Sequence, residues 1–207
     1  MVRTTESLHA SLDALAEREK AFARVLDTHG KPEPRISEPG VETLLRTIVG
    51  QQVSVHAARS MWNKLIAKLG QPVDLQKLLG SSDEELREAG LSRQKAGYAR
   101  SLAGLVLSGE LDLAHLPEDD EEAIAQLIKI KGIGRWSAEI YLLFAEGRGD
   151  VWPAGDLAVQ IEIGKLMGLD GKPTEKQLRE LAESWRPHRG AAAVLAWHSY
   201  NAPPLGD

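Results

Sequence analysis

The chain has 207 residues, of which 43% are hydrophobic and 27% are charged, as in globular proteins with a core of their own. It contains no cysteine, which excludes disulfides, thiolate zinc sites and cysteine-ligated iron–sulfur clusters. The net charge of −5 disfavours a nucleic-acid-binding domain, because such domains are usually basic.

Apolar residues recur with helical periodicity along the chain, and no stretch alternates as a strand does. The predicted helices cover, in chain order, residues 7–27, 41–49, 54–69, 75–79, 83–89, 92–108, 119 or 120 to 130, 135–147, 156–167, a segment that begins at 174, and 187–200. In the helix from 156, the residues expected to face inward are Leu157, Ile161, Leu166 and Met167. The pattern therefore predicts an all-α protein of about ten short helices.

Two of these helices are joined by a tight turn, Gly132-Ile-Gly134. Glycine takes backbone conformations that other residues avoid, and the free amides that begin the next helix can bind an anion such as a phosphate. Lys and Arg residues flank the turn at 129, 131 and 135, which favours an anion further. On the turn alone, a helix–helix connection without a ligand is the commoner explanation.

Three other features are candidates for chemistry. Asp156 precedes a helix, where an aspartate usually caps the helix but also suits a base or an electrostatic catalyst. Tryptophans are usually core residues, although Trp136 and Trp197 are placed to line a pocket. Gln51-Gln52 interrupts a buried helix, either as a solvated loop or as a probe that fills a gap in a base stack. The six histidines lack metal-binding spacing, so we expect no catalytic metal.

Together these features resemble the helix-hairpin-helix DNA glycosylases, and among them the 3-methyladenine DNA glycosylase II group without its N-terminal β-rich domain. The resemblance rests on Leu127 to Arg135, on Asp156 about twenty residues later, and on the segments 48–54 and 186–197. It implies a two-lobed helical fold, with one lobe of about 1–36 plus 137–207 and another of about 37–136. The chain is too short for the extra domain.

The resemblance also assigns roles to residues. Asp156 is the expected catalytic carboxylate. The expected base-pocket residues are Trp136, Trp197 and Ile140. The expected DNA contacts are Gln51, Gln52, Lys131, Gly132, Gly134 and Arg135. In this family a monovalent cation, Na⁺ or K⁺, often bridges hairpin carbonyls to the phosphate, and the corresponding carbonyls are those of Ile128, Ile130 and Ile133.

Two departures from related branches indicate hydrolysis without lyase activity. Lyases of this family carry a nucleophilic lysine where this chain has Trp136, and an indole cannot form a Schiff base. The branches with a four-cysteine iron–sulfur loop are excluded by the absence of cysteine. Ile140 replaces an aromatic pocket residue, and Gln52 stands where the wedge is often Leu.

The expected activity is therefore the release of alkylated purines from damaged double-stranded DNA by a monomer without a cofactor. No apolar run reaches membrane length, and the first residues lack a signal-peptide core. We expect a cytoplasmic protein, or a nuclear one in a eukaryote. Two alternatives remain open: a non-catalytic helix-hairpin-helix protein that binds damaged DNA, and a helical interaction protein without a DNA role.

Overall fold

The computed structural model describes residues 4–203, and every regular element in that range is helical. No strand occurs among these residues, so the prediction of an all-α protein is confirmed. The α-helices are α1 Thr5–Arg18, α2 Lys20–His29, α3 Val41–Gly50, α4 Val55–Leu69, α5 Leu75–Gly80, α6 Asp83–Glu88, α7 Arg93–Leu107, α8 Asp120–Leu127, α9 Arg135–Tyr141, α10 Leu157–Leu166, α11 Glu175–Leu181 and α12 Arg189–Asn201. A π-helical turn, Leu142–Glu146, follows α9, and a 3₁₀ turn, Ala182–Trp185, follows α11.

These helices form two compact units. The terminal unit comprises the described residues up to Ser37 and from Leu142, and the central unit is Glu38–Tyr141. The predicted lobe boundaries, 36/37 and 136/137, lie one and five residues from these limits. No helix within residues 4–203 has both the length and the apolar content needed to cross a bilayer.

The terminal unit is built around α12, which packs against α1, α2 and α10. The whole run from Gly190 to Ala196 is buried, and the small residues in it let the neighbouring helices approach closely. A Cβ on Gly190 would lie 2.7 Å from the Gly149 carbonyl oxygen. Next to α12, the ring of Trp185 meets those of Phe22 and Trp152 edge-on at 5.0 and 5.5 Å.

In the central unit, α7 packs against α3, α5 and α6. The buried side chains of α3 are Leu44, Leu45, Ile48 and Val49, and those of α7 are Ala96, Ala99, Leu102 and Ala103. Capping residues define the helix starts as the sequence predicts. Ser54 begins α4, Ser92 begins α7 and Asp119 begins α8, each by accepting a hydrogen bond from a backbone amide of the first turn.

Three predicted helices differ in number, start or buried face, and two others end earlier than predicted, α8 at Leu127 and α9 at Tyr141. The helix predicted over 7–27 is two helices, because Glu19 adopts an extended conformation and accepts a hydrogen bond from the Trp185 indole at 3.2 Å. The last helix begins at Arg189 rather than Pro187, since the His188 amide bonds to the Trp185 carbonyl and closes a separate turn.

The third difference concerns the inward face of α10. Leu157 is 60% exposed, and Ile161, Leu166 and Met167 are only half-buried. The buried apolar residues are instead Val159 and Ile163. Because most of this helix is apolar, its sequence does not distinguish one face from another, and the predicted face was wrong.

Candidate functional site

Asp156 lies at the N-terminus of α10, where it serves as the N-cap. Its Oδ1 accepts a hydrogen bond from the Val159 amide at 3.0 Å. The same oxygen accepts a second hydrogen bond, also at 3.0 Å, from the indole Nε1–H of Trp197 on α12. A helix cap does not need this second donor. The carboxylate therefore has a fixed orientation that goes beyond helix capping.

The loop that carries Asp156 is itself held by buried hydrogen bonds. The side chain of Gln160 donates to the Ala154 carbonyl at 2.9 Å and accepts from Lys172 Nζ at 2.8 Å. The Trp152 indole donates to the Leu178 carbonyl at 3.2 Å. The bonds to Lys172 and Leu178 join residues 12 and 26 positions apart, and no local pattern indicates them.

An aromatic groove adjoins Trp197 in the terminal unit. We define it by Arg35, Phe144, Val194, Trp197 and His198, which line a cavity of about 580 Å³. The rings of Phe144 and Trp197 are 5.6 Å apart and inclined by 39°. The guanidinium carbon of Arg35 lies 5.6 Å from the centre of the Phe144 ring.

Sequence reasoning missed Phe144 as a groove residue. It lies in the π-helical turn Leu142–Glu146, and the periodicity of an α-helix does not predict where its side chain points. In the terminal unit Trp197 thus contacts both Asp156 and Phe144, and of these three residues only Phe144 was not predicted.

Trp136 and Ile140 belong to the central unit, on α9. They are four residues apart and therefore share a face of the helix. Trp136 is 48% exposed, which is uncommon for a tryptophan and consistent with a surface that meets a ligand.

Only one of the two hairpin glycines is required by the backbone geometry. Gly132 has φ of +83°, and a Cβ there would lie 2.1 Å from an atom of the Tyr98 ring. Gly134 does not have a positive φ, and a Cβ there would meet nothing within 4 Å. The prediction that the backbone conformation requires glycine is therefore correct for Gly132 and wrong for Gly134. Space in front of Gly134 is left open.

The flanking cations also differ. Arg135 pairs with both carboxylate oxygens of Glu121 and donates to Glu139 at 2.9 Å. Hydrogen bonding to Glu121 raises the pKa of Arg135 above its ordinary value. Lys131 is exposed, and its ammonium forms no ion pair within residues 4–203. Arg135 thus connects α8 to α9, whereas Lys131 points to solvent.

The Gln51-Gln52 loop contacts the hairpin directly. Gln51 Nε2 donates to the Gly132 carbonyl at 2.8 Å, so the two predicted DNA-binding segments are joined by a side-chain hydrogen bond. Gln52 is exposed and has φ of +54°, a left-handed conformation that costs about 1 kcal/mol for a residue other than glycine. Strain of this kind is concentrated at functional sites.

The three hairpin carbonyls predicted to hold a cation lie in the turn after α8. The Ile130 carbonyl accepts a hydrogen bond from the Ile133 amide at 3.0 Å. A carbonyl oxygen has two lone pairs, so this bond leaves one available to a cation. The turn is thus compatible with a cation at these carbonyls.

The sequence model of the HhH-GPD superfamily base excision DNA repair proteins matches residues 45–187. The DNA-3-methyladenine glycosylase 1 of Schizosaccharomyces pombe is 30% identical over 200 residues, which cover 95% of this chain and 86% of that relative. A putative DNA-3-methyladenine glycosylase of Bacillus subtilis is 27% identical over 164 residues, 75% of this chain and 57% of the relative's length.

Among solved structures, the 3-methyladenine DNA glycosylase of S. pombe in complex with abasic DNA superposes with a TM-score of 0.80. It is 27% identical, and the match covers 93% of this chain and 97% of that one. The range matched by the superfamily contains the Gln51-Gln52 loop, the hairpin and Asp156, whereas Trp197 lies beyond its end.

Proposed function

The chain belongs to the HhH-GPD superfamily of base excision DNA repair proteins, and we propose that it is a monofunctional DNA glycosylase that releases alkylated purines. The observation that carries the proposal is the Asp156 carboxylate, held by the N-terminus of α10 and by the Trp197 indole next to an aromatic groove. The relatives named as 3-methyladenine glycosylases support the choice of alkylated purines, such as 3-methyladenine and 7-methylguanine.

In the proposed reaction the N-glycosidic bond breaks, and the purine leaves with the bonding electrons. Alkylation at N3 or N7 makes the purine cationic, so it is a good leaving group without a general acid. Asp156 stabilises the oxocarbenium-like sugar and orients or deprotonates the attacking water. One carboxylate therefore suffices, unlike the pair needed to cleave bonds between sugars. The products are the free base and an abasic site.

The damaged base must leave the duplex to reach Asp156. We propose that Trp197 and Phe144, which face the groove, contact the extruded base, and that Trp136 and Ile140 contribute further contacts. A cationic purine gains about 1 kcal/mol from an indole face that a neutral base does not. The hydrogen bond from Trp197 to Asp156 would then link recognition of the base to the catalytic carboxylate.

The hairpin is the proposed anchor for a DNA phosphate. The amides of Gly132 and Gly134 lie in the turn before α9, and that of Trp136 lies in its first turn. The open space at Gly134 lets a phosphate approach closely. Lys131 supplies a nearby positive charge, whereas the guanidinium of Arg135 is already bound to acids. Because the interaction is local, it is compatible with the net charge of −5, and it should weaken as salt concentration rises.

Other features follow from the same proposal. Gln52 fills the space that the extruded base leaves, and the partner is damaged double-stranded DNA bound by a monomer. The carbonyls of Ile128, Ile130 and Ile133 are the proposed ligands of a Na⁺ or K⁺ ion, whose charge would favour the phosphate at the hairpin. No other cofactor is proposed. The protein would act in the cytoplasm, at the nucleoid, or in the nucleus of a eukaryote.

Base release from duplex DNA that contains 3-methyladenine or 7-methylguanine tests this function. We expect free base and an intact abasic strand, without the strand cleavage or borohydride-trapped adduct of a lyase, because Trp136 cannot form a Schiff base. A non-catalytic damage-binding protein would bind the same duplex and release no base from any lesion. That result would contradict the proposed activity and support the non-catalytic alternative.

A further inference from the structure

Helix α7 carries three side chains at three-residue spacing, Lys95, Tyr98 and Ser101. Residues three apart share a helix face. Each of the three contacts one of two segments that the proposed function assigns to DNA. These segments are the wedge loop, Gln51 to Val53, with the end of α3 that leads into it, and the hairpin around Gly132.

Lys95 contacts the wedge-loop side. Its ammonium donates to the Val49 carbonyl, in the last turn of α3, at 2.8 Å. The C-terminus of a helix attracts a cation, and within residues 4–203 Lys95 forms no ion pair. Partial burial lowers the pKa of its ammonium. Lys95 is therefore a half-buried cation. Its hydrogen bond holds the last turn of α3 at Val49, two residues before Gln51.

Tyr98 and Ser101 contact the hairpin. The Tyr98 ring packs on Gly132, and its hydroxyl accepts a hydrogen bond from Gln94 at 2.5 Å. The Ser101 hydroxyl accepts a hydrogen bond from the Lys131 amide at 3.1 Å. The Gln51–Gly132 hydrogen bond then joins the two segments to each other and completes a closed set of contacts.

The space beside this set is open. A cavity of about 380 Å³ separates parts of the wedge loop from α7, and Gln52, Gln94 and Lys95 are among the residues that line it. The cavity leaves the wedge loop with little packing on this side, and the hydrogen bond from Lys95 supports the turn of α3 that leads into the loop.

We propose that Lys95 is a positioning residue, which together with Tyr98 and Ser101 sets the distance between the wedge loop and the hairpin. This inference rests on the proposed function, in which Gln52 enters the base stack while the hairpin holds a phosphate. The two events require a fixed separation, because a displacement of about 1 Å in such an arrangement can slow a reaction by about 100-fold.

The test compares Lys95→Met with Arg93→Gln, which removes the same charge from an exposed position on the same helix. Single-turnover base release is measured for a lesion in a duplex and for the same lesion in an unpaired bulge, where less wedging is needed. We expect Lys95→Met to slow release from the duplex by about 10-fold or more, with a smaller deficit for the bulge. Arg93→Gln should retain the wild-type rate, and Lys95→Arg should restore most of it.

The salt dependence of binding to abasic duplex DNA distinguishes positioning from a direct contact. A positioning role predicts the wild-type slope of log K against log salt for Lys95→Met. A slope reduced by about 0.9 would show that Lys95 binds a phosphate itself, and it would overturn the proposal. An unchanged rate of base release, or an equal loss in Arg93→Gln, would also overturn it.

Amide hydrogen exchange provides a readout that does not depend on activity. Exchange in residues 49–53 should be faster in Lys95→Met, and exchange of the Lys131 amide should be faster in Ser101→Ala, while global unfolding changes little. If wild type releases no base yet these exchange rates rise, the proposed function fails and the positioning contacts stand. If exchange is unchanged in both variants, the positioning contacts are wrong whatever the activity.

Discussion

Asp156 in the terminal unit is fixed by donors from two helices, whereas the hairpin in the central unit presents main-chain amides beside open space. The first arrangement depends on side chains, and the second depends on the absence of side chains at two glycines. Substitutions in the terminal unit should therefore alter the rate of base release. Substitutions at the hairpin should alter folding or DNA binding, according to which glycine or cation they affect.

The largest effect on stability is expected for Gly132→Ala. Its positive φ disfavours alanine by about 1 kcal/mol, and the overlap with the Tyr98 ring adds about 1–3 kcal/mol. Urea unfolding should show a loss of about 2–4 kcal/mol. The matched variant Gly134→Ala should change the free energy of unfolding by less than about 0.5 kcal/mol but weaken DNA binding. Equal stability losses in the two variants would contradict the distinction between the glycines.

A smaller effect is expected for Trp197→Phe, which keeps an aromatic ring beside Phe144 but removes the N–H donor to Asp156. The loss of one hydrogen bond to a charged group, about 1.5–3 kcal/mol, predicts a rate of base release at least about 10-fold lower, with DNA binding unchanged. Trp62→Phe is the control, because the buried Trp62 indole nitrogen has no hydrogen-bond partner within residues 4–203. If both variants release base at the wild-type rate, the Trp197–Asp156 bond has no part in catalysis.

The smallest effects distinguish the two hairpin cations. Lys131→Gln should lower the salt slope of DNA binding by about 0.9, since it removes one phosphate contact. Arg135→Gln should leave the slope unchanged, and it should reduce stability more than Lys131→Gln does, because it removes the ion pair of the buried Glu139 carboxylate. Titration of DNA binding at several salt concentrations measures both slopes. A reduced slope for Arg135→Gln alone would reverse the assignment.

Local sequence signals predicted much of this structure. A capping residue before an apolar segment places the starts of α4, α7 and α8 correctly. The same signal identifies Asp156 as an N-cap, and Gly132 is recognisable as a turn residue. These features depend on a few neighbouring residues, which is why a single sequence reveals them.

Features that depend on distant residues were not predictable in this way. The break at Glu19 is stabilised by Trp185, and Arg135 finds its partner in Glu121, within an acidic segment that could equally have been a solvated surface. Phe144 reaches the groove from a π-helical turn, where α-helical periodicity fails. The hydrogen bond between Gln51 and Gly132 joins residues 81 positions apart.

The central claim, that the fixed carboxylate of Asp156 performs the chemistry, is tested most directly by Asp156→Asn. Asparagine is also a good N-cap and can accept both hydrogen bonds, so the fold and DNA binding should be retained. Single-turnover release of 7-methylguanine from duplex DNA should then be at least about 100-fold slower than for wild type, the effect usual for losing one electrostatic stabiliser. A folded Asp156→Asn variant that releases base at a near wild-type rate would contradict the claim.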